Sequence, residues 1–166
     1  MRIPKIPNKS LRALKALHLV GSIIWSGGVL CTLITLVLLS RQLSATAALA
    51  LIDLVKLIDY SLIIPGATLC FIIGGAFAIF SKWGFFKNRW VFLKWVLFII
   101  ACVPAMILFL PTVGSIQDSF VLGGVPFAQS ALQQELLVLI VMTAAQSVIA
   151  VIMVTLSVYK PTKRKV

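Results

Sequence analysis

Four long apolar runs, broken by short basic segments, decide what this chain can fold into. They cover residues 14–39, 61–80, 90–110 and 132–159 of 166. A helix needs about 20 mainly apolar residues to cross a bilayer. In hydrocarbon a helix also satisfies its own backbone polar groups, which an isolated strand does not. Only 11% of the residues are charged and 61% are hydrophobic. A soluble domain would carry roughly a quarter charged residues. The runs leave little chain for anything else, so the expected fold is all-α, a four-helix transmembrane bundle forming a single domain over 1–166.

The net charge of +11 invites a nucleic-acid reading, but its distribution argues against one. Arg2, Lys5, Lys9, Arg12 and Lys15 precede or open the first run. Lys82, Lys87 and Arg89 separate the second and third runs, and the tail KPTKRKV follows the fourth. Cations on alternate loops are what membrane topology requires, because lysine and arginine are retained on the cytoplasmic side. Both termini are therefore expected inside (N-in/C-in), with the lipid bilayer as partner and no nucleic acid. The acids Asp53, Asp59, Asp118 and Glu135 fall on the outer side or near it. The first run is longer than a signal-peptide core and has no A-x-A-like site after it, so it is expected to be retained.

Between the runs, residues 44–60 (SATAALALIDLVKLIDY) predict a helix, an extramembrane or interfacial extension of the second span. Leu51, Leu54, Val55, Leu57 and Ile58 form its apolar stripe, and Asp53, Lys56 and Asp59 form a solvated face on which the lysine pairs with either acid. Pro65 is expected to kink or start the second span. Gly74 and Gly75 are expected to permit close helix contact. Trp83, Phe85, Phe86 and Trp90 suit the headgroup layer around a basic turn. Pro104 is expected to break the third span and Pro111 to end it, leaving 112–129 as an outer loop. In the fourth span Thr143, Gln146, Ser147 and Thr155 are polar groups that bond across helices, bond back to their own backbone, or line a transport path.

The first run, LKALHLVGSIIWSGGVLCTLIT, holds the one histidine of the chain. His18, Gly21, Trp25 and Gly28 recur at intervals of 3, 4 and 3 residues and so share one helix face. Lipid has no use for an imidazole, an indole and two glycines on one seam, so this face is expected to turn inward, onto spans two and three. Lys94 lies about one turn into the third span, at the depth of His18. An ionisable group in a span is a functional candidate, though a lysine near a helix end also snorkels and a histidine also serves as a structural hydrogen-bonder. Neutral imidazole is a good axial ligand for haem iron and a fair one for copper. With one histidine, a two-histidine haem needs a second copy of the chain, a homo-dimer. His18 is thus the candidate metal ligand. His18, Lys94, Gly21, Trp25 and Gly28 together form the candidate cofactor site, with the glycines letting a flat macrocycle approach the backbone. The methionines make no copper-type cluster. Cys31, Cys70 and Cys102 each stand alone in an apolar run, with no CxxC pair. No nucleophile–base set, paired carboxylates or phosphate loop is visible.

The segment LKALHLVGSIIWSGG resembles the first-helix pattern K-x-L-H-x-x-G-x-x-x-W-x-G-G of a loose superfamily of small bacterial integral membrane proteins. That superfamily includes the HemJ-type protoporphyrinogen oxidases, the copper-resistance CopD membrane domain and a family of unassigned activity. Residues 63–99, IIPGATLCFIIGGAFAIFSKWGFFKNRWVFLKWVLFI, look most like the last of these. The resemblance spans runs one to three and hardly touches the fourth. It implies a bacterial cytoplasmic membrane and, by analogy with HemJ-like proteins, functional roles for His18 and Lys94, with haem b as the cofactor and an oxidoreductase activity. Three functions stand open: a porphyrin-binding membrane protein, a non-catalytic scaffold or assembly helper with a structural His18, and a small permease for a metal or small molecule.

Overall fold

The computed structural model describes residues 8–41, 43–80, 88–123 and 130–159. The expected basic turn at Lys82, Trp83, Phe85, Phe86 and Lys87, the cations Arg2 and Lys5, and the tail from Lys160 lie outside these residues. The described chain is almost wholly helical. Helix α1 covers Asn8–Leu39. Helix α2 (Ala45–Ile58) runs through a π-turn (Asp59–Ile63) into α3 (Ile64–Phe80). Helix α4 (Arg89–Pro104) runs through a second π-turn (Ala105–Phe109) into α5 (Leu110–Gly123), and α6 covers Ser130–Tyr159. Four of the resulting rods are long and apolar enough to cross a membrane: Ser10–Leu39, Ala45–Ile79, Arg89–Val121 and Ala131–Tyr159. The chain is a multi-pass membrane-type helical bundle.

Residues 45–63 run on into α3, so this segment is a helical extension of span two. One expectation fails: residues 112–123 are not an outer loop; they extend span three. Both proline positions explain why. Proline has no N–H and its ring crowds the carbonyl four residues back. Each π-turn ends two residues before a proline, Pro65 or Pro111, and widens the helix there. In the first, the Ile64 N–H reaches the Asp59 carbonyl, five residues back. The wider turn absorbs the proline and the helix goes on. Its continuation is legible in hindsight: Phe109, Val113, Ile116 and Phe120 recur at 4, 3 and 4 residues and are all buried.

Spans two and three, at 35 and 33 residues, are about 50 Å long at ~1.5 Å per residue, against ~30 Å of hydrocarbon. The surplus lies at the end away from the N-terminus. There Leu36 and Leu39, Ile52 and Val55, Val113 and Ile116, and Leu136 and Leu139 close one apolar core from all four spans. Polar links surround it. Lys56 donates to Gln117 Oε1, and Gln117 Nε2 donates to Asp53 at 3.1 Å. Ser115 donates to Glu135 at 3.2 Å. Lys56 therefore engages span three rather than either neighbouring acid. Asp59 is no part of a solvated face: it is only 7% exposed.

Around the bundle the spans follow chain order. Helix α1 lies along span two and along α6, while span three packs on α6 and, through α5, on α2. Span one therefore packs on spans two and four, not on two and three as expected. Span three reaches it by side chains, with Phe98 tilted against Trp25 at 5.6 Å.

Candidate functional site

The glycine seam of α1 is closed by span two. A Cβ on Gly66 would stand 2.6 Å from the Trp25 backbone nitrogen. One on Gly28 would stand 2.9 Å from Ile63 Cγ1, and one on Gly21 3.1 Å from Leu69 Cδ2. The two helices touch almost backbone to backbone, the approach that small residues allow in membranes. Trp25 is 3% exposed and fills the space between this contact and Phe98. Gly21, Trp25 and Gly28 are thus packing residues, and no macrocycle can lie on their face.

His18 continues the same stripe past the tight contact, where the helices part. Its imidazole Cε1 is 3.7 Å, and Trp95 Cζ2 3.8 Å, from the point where Gly74 would carry a Cβ. That is ordinary contact distance, and around Gly75 there is nothing within 4 Å. Gly74 and Gly75 therefore do not mediate the close contact expected of them: Gly74 meets His18 and Trp95 at ordinary distance, and a Cβ on Gly75 would point into open space. Phe77 meets the imidazole edge-on, with centroids 6.3 Å apart. The His18 carbonyl accepts from Ser22 Oγ at 2.8 Å, and Ser22 Oγ lies 3.4 Å from Cys70 Sγ. Imidazole Nδ1 is buried and has no hydrogen-bond partner.

Lys94 enters this region from α4. Its ammonium donates to Ser157 Oγ of α6, lies 5.9 Å from the centre of the Trp90 ring, and is within electrostatic reach of His18 and Cys70. It is half-buried. The chain has four Asp and Glu residues, and all four belong to the opposite half of the bundle, so among the described residues no carboxylate neutralises Lys94. Of the five expected site residues, the structure brings His18 and Lys94 together and assigns the other three to the seam. Ser157, Phe77, Trp95 and Cys70 join the site without having been singled out for it. Only Ser157 had a usable signal, a small polar residue near the end of span four.

The fourth-span polar groups are used within the protein. Gln146 Nε2 donates to the Ala101 carbonyl of α4 at 2.8 Å, and the hydroxyls of Thr143, Ser147 and Thr155 bond back one turn. Among the described residues no group of three or more His, Cys, Asp or Glu side chains is placed to hold a metal. An orphaned imidazole nitrogen with a cation beside it fits the ligation of one axial position and the pairing of one carboxylate. The closed seam does not fit a macrocycle lying along α1. No protein-family model, curated protein or solved structure matches the chain.

Proposed function

We propose that this protein binds a carboxylate-bearing porphyrin, haem b or a relative, in a bacterial cytoplasmic membrane with both termini inside. His18 is the ring or iron ligand and Lys94 the counter-charge for a carboxylate. The observation that carries the reading is a half-buried ammonium with no carboxylate among the described residues in its half of the bundle, within electrostatic reach of an imidazole whose Nδ1 has no partner. An unpaired charge in a span is costly, and an anionic ligand removes the cost. The ligand approaches from the Gly74–Gly75 side, since span two occupies the glycine seam. Bound haem would supply the redox-active iron; the protein supplies one nitrogen, one cation and an aromatic wall of Phe77 and Trp95. The basic segments support the orientation, and a fluorescent reporter on each terminus is expected to light only from the cytoplasm.

The test is absorption spectroscopy on the purified protein titrated with haem. Wild type is expected to show a Soret band that His18→Ala abolishes. Lys94→Gln is expected to weaken binding about tenfold, since a hydrogen bond to a charged group contributes about 1.5 kcal/mol. A folded wild type that stays colourless contradicts the reading. The tight α1–α3 contact then favours the second one, a non-catalytic scaffold in which His18 is structural.

A further inference from the structure

At the other end of the α1 seam, Thr32 and Asp59 are two buried polar residues on elements that pack together. The contacts of the seam fix its register. Gly21 meets Cys70, Trp25 meets Gly66 and Gly28 meets Ile63. Thr32 lies one turn beyond Gly28, at the level of the π-turn that Asp59 begins, and α1 packs directly on that turn. Thr32 is 0% exposed and Asp59 7%. Thr32 Oγ1 has no hydrogen-bond partner, although the other buried threonines, Thr35 and Thr143, bond back one turn. Among the described residues the Asp59 carboxyl makes neither an ion pair nor a hydrogen bond.

Charges near Asp59 are few. From α1, the flanking Cys31 is exposed and turned away, and the nearest cations are Arg41 and Lys15. From α3 no charged group faces it. From α2, Lys56 is one turn back and engaged with Gln117, which also holds Asp53. Pro65 adds a second irregularity, because its missing N–H leaves a carbonyl of this turn without its helical donor. π-Turns inside α-helices are frequent at functional sites, and an acid buried in a span marks a proton or ion path by default. Thr32 lies fourteen residues beyond His18, about 21 Å along α1, so this site is separate from the one above.

We propose that Asp59 and Thr32 form a proton-binding site between α1 and span two, near the face to which Asp53 and Lys56 belong. Loading transfers one proton from hydronium to the Asp59 carboxylate, leaving water, and no electron moves. In the loaded form the carboxylic O–H donates to Thr32 Oγ1; in the unloaded form the Thr32 O–H donates to the carboxylate. A single carboxyl with one hydroxyl opposite suits a proton. A metal cation would need more oxygen ligands than this seam offers.

The experiment is pH-difference infrared spectroscopy on the full chain in lipid nanodiscs. The expected result is a protonated-carboxyl band that titrates reversibly. The band should vanish in Asp59→Asn, change frequency in Thr32→Val, and survive Asp53→Asn and Glu135→Gln. As a check that needs no variant, a hydrophobic carbodiimide added to wild type is expected to modify Asp59 and spare Asp53 and Asp118 in peptide mass analysis. A band that survives Asp59→Asn, or no titrating band together with no label on Asp59, overturns the proposal. So does a band whose midpoint moves when sodium replaces choline at constant ionic strength, because a metal ion then occupies the site.

Discussion

Gly66→Ala is expected to force spans one and two apart and to destabilise the bundle by about 3 kcal/mol, the upper part of the usual overpacking range. The added methyl would stand 2.6 Å from the Trp25 nitrogen and 3.0 Å from its Cα. Both are backbone atoms, so no rotamer change relieves the clash and the helices must separate. Separation also undoes the contacts at Gly21 and Gly28, since one rigid seam carries all three. His18, two turns down the same helix face, then shifts away from Gly74, so porphyrin binding is expected to fall with stability. Two glycines provide the control. Nothing lies within 4 Å of a Cβ on Gly27 or Gly75. Alanine there is expected to be neutral or stabilising by up to ~1 kcal/mol, because it restricts the unfolded backbone. Titration with a denaturing detergent, followed by tryptophan fluorescence, measures all three. Equal midpoints for Gly66→Ala and Gly75→Ala would contradict the seam.

Trp25→Ala is expected to cost about 3 kcal/mol, the low end for removing a buried aromatic. The indole is 3% exposed, backed by Gly66 on one side and by Phe98 at 5.6 Å on the other. It is the main bridge between spans one and three, whose backbones do not pack. Between helices in lipid, transfer from water contributes little and packing contacts carry the association. The loss is therefore mostly dispersion that no neighbour replaces. Phe98 also touches Phe71 and Trp95, at 6.1 and 6.4 Å, so the void opens toward the aromatic wall near His18. Trp25→Phe keeps most of that contact and is expected to lose less than half as much. The same detergent titration tests this, and a Trp25→Ala midpoint equal to wild type would show that the indole bridges nothing.

The number of spans was legible because apolar run length and cation spacing are strong, local signals. Their ends were not. Pro111, Gly114 and Ser115 look like a loop by local preference, and only the recurrence of Val113, Ile116 and Phe120 shows that tertiary packing outweighs it. At the site, helical spacing correctly grouped His18 with Gly21, Trp25 and Gly28. It could not say what occupies the face they share. Close packing and ligand access both call for glycine, and only the partner helix separates them. So Gly21 and Gly28 turn out to hold span two, while Gly74 meets His18 and Trp95 only at ordinary distance and Gly75 faces open space. Gly66, the tightest contact of all, sits next to Pro65 and looks like part of a helix start. Asp59 was hidden in the same way: its spacing with Asp53 and Lys56 suggests one wet face, but the π-turn rotates it onto α1.

The central claim is that α1 and span two close on the glycine seam in this register, with His18 beyond the tight contact on the same face. Native Cys70 offers a direct measurement. Its Sγ lies 3.3 Å from where Gly21 would carry a Cβ, within reach of a disulfide. In a chain with Cys31 and Cys102 replaced by alanine, Gly21→Cys is expected to link to Cys70 on mild oxidation in intact membranes, and Gly27→Cys is not. Peptide mass analysis showing no more 21–70 linkage than 27–70 linkage would contradict the account.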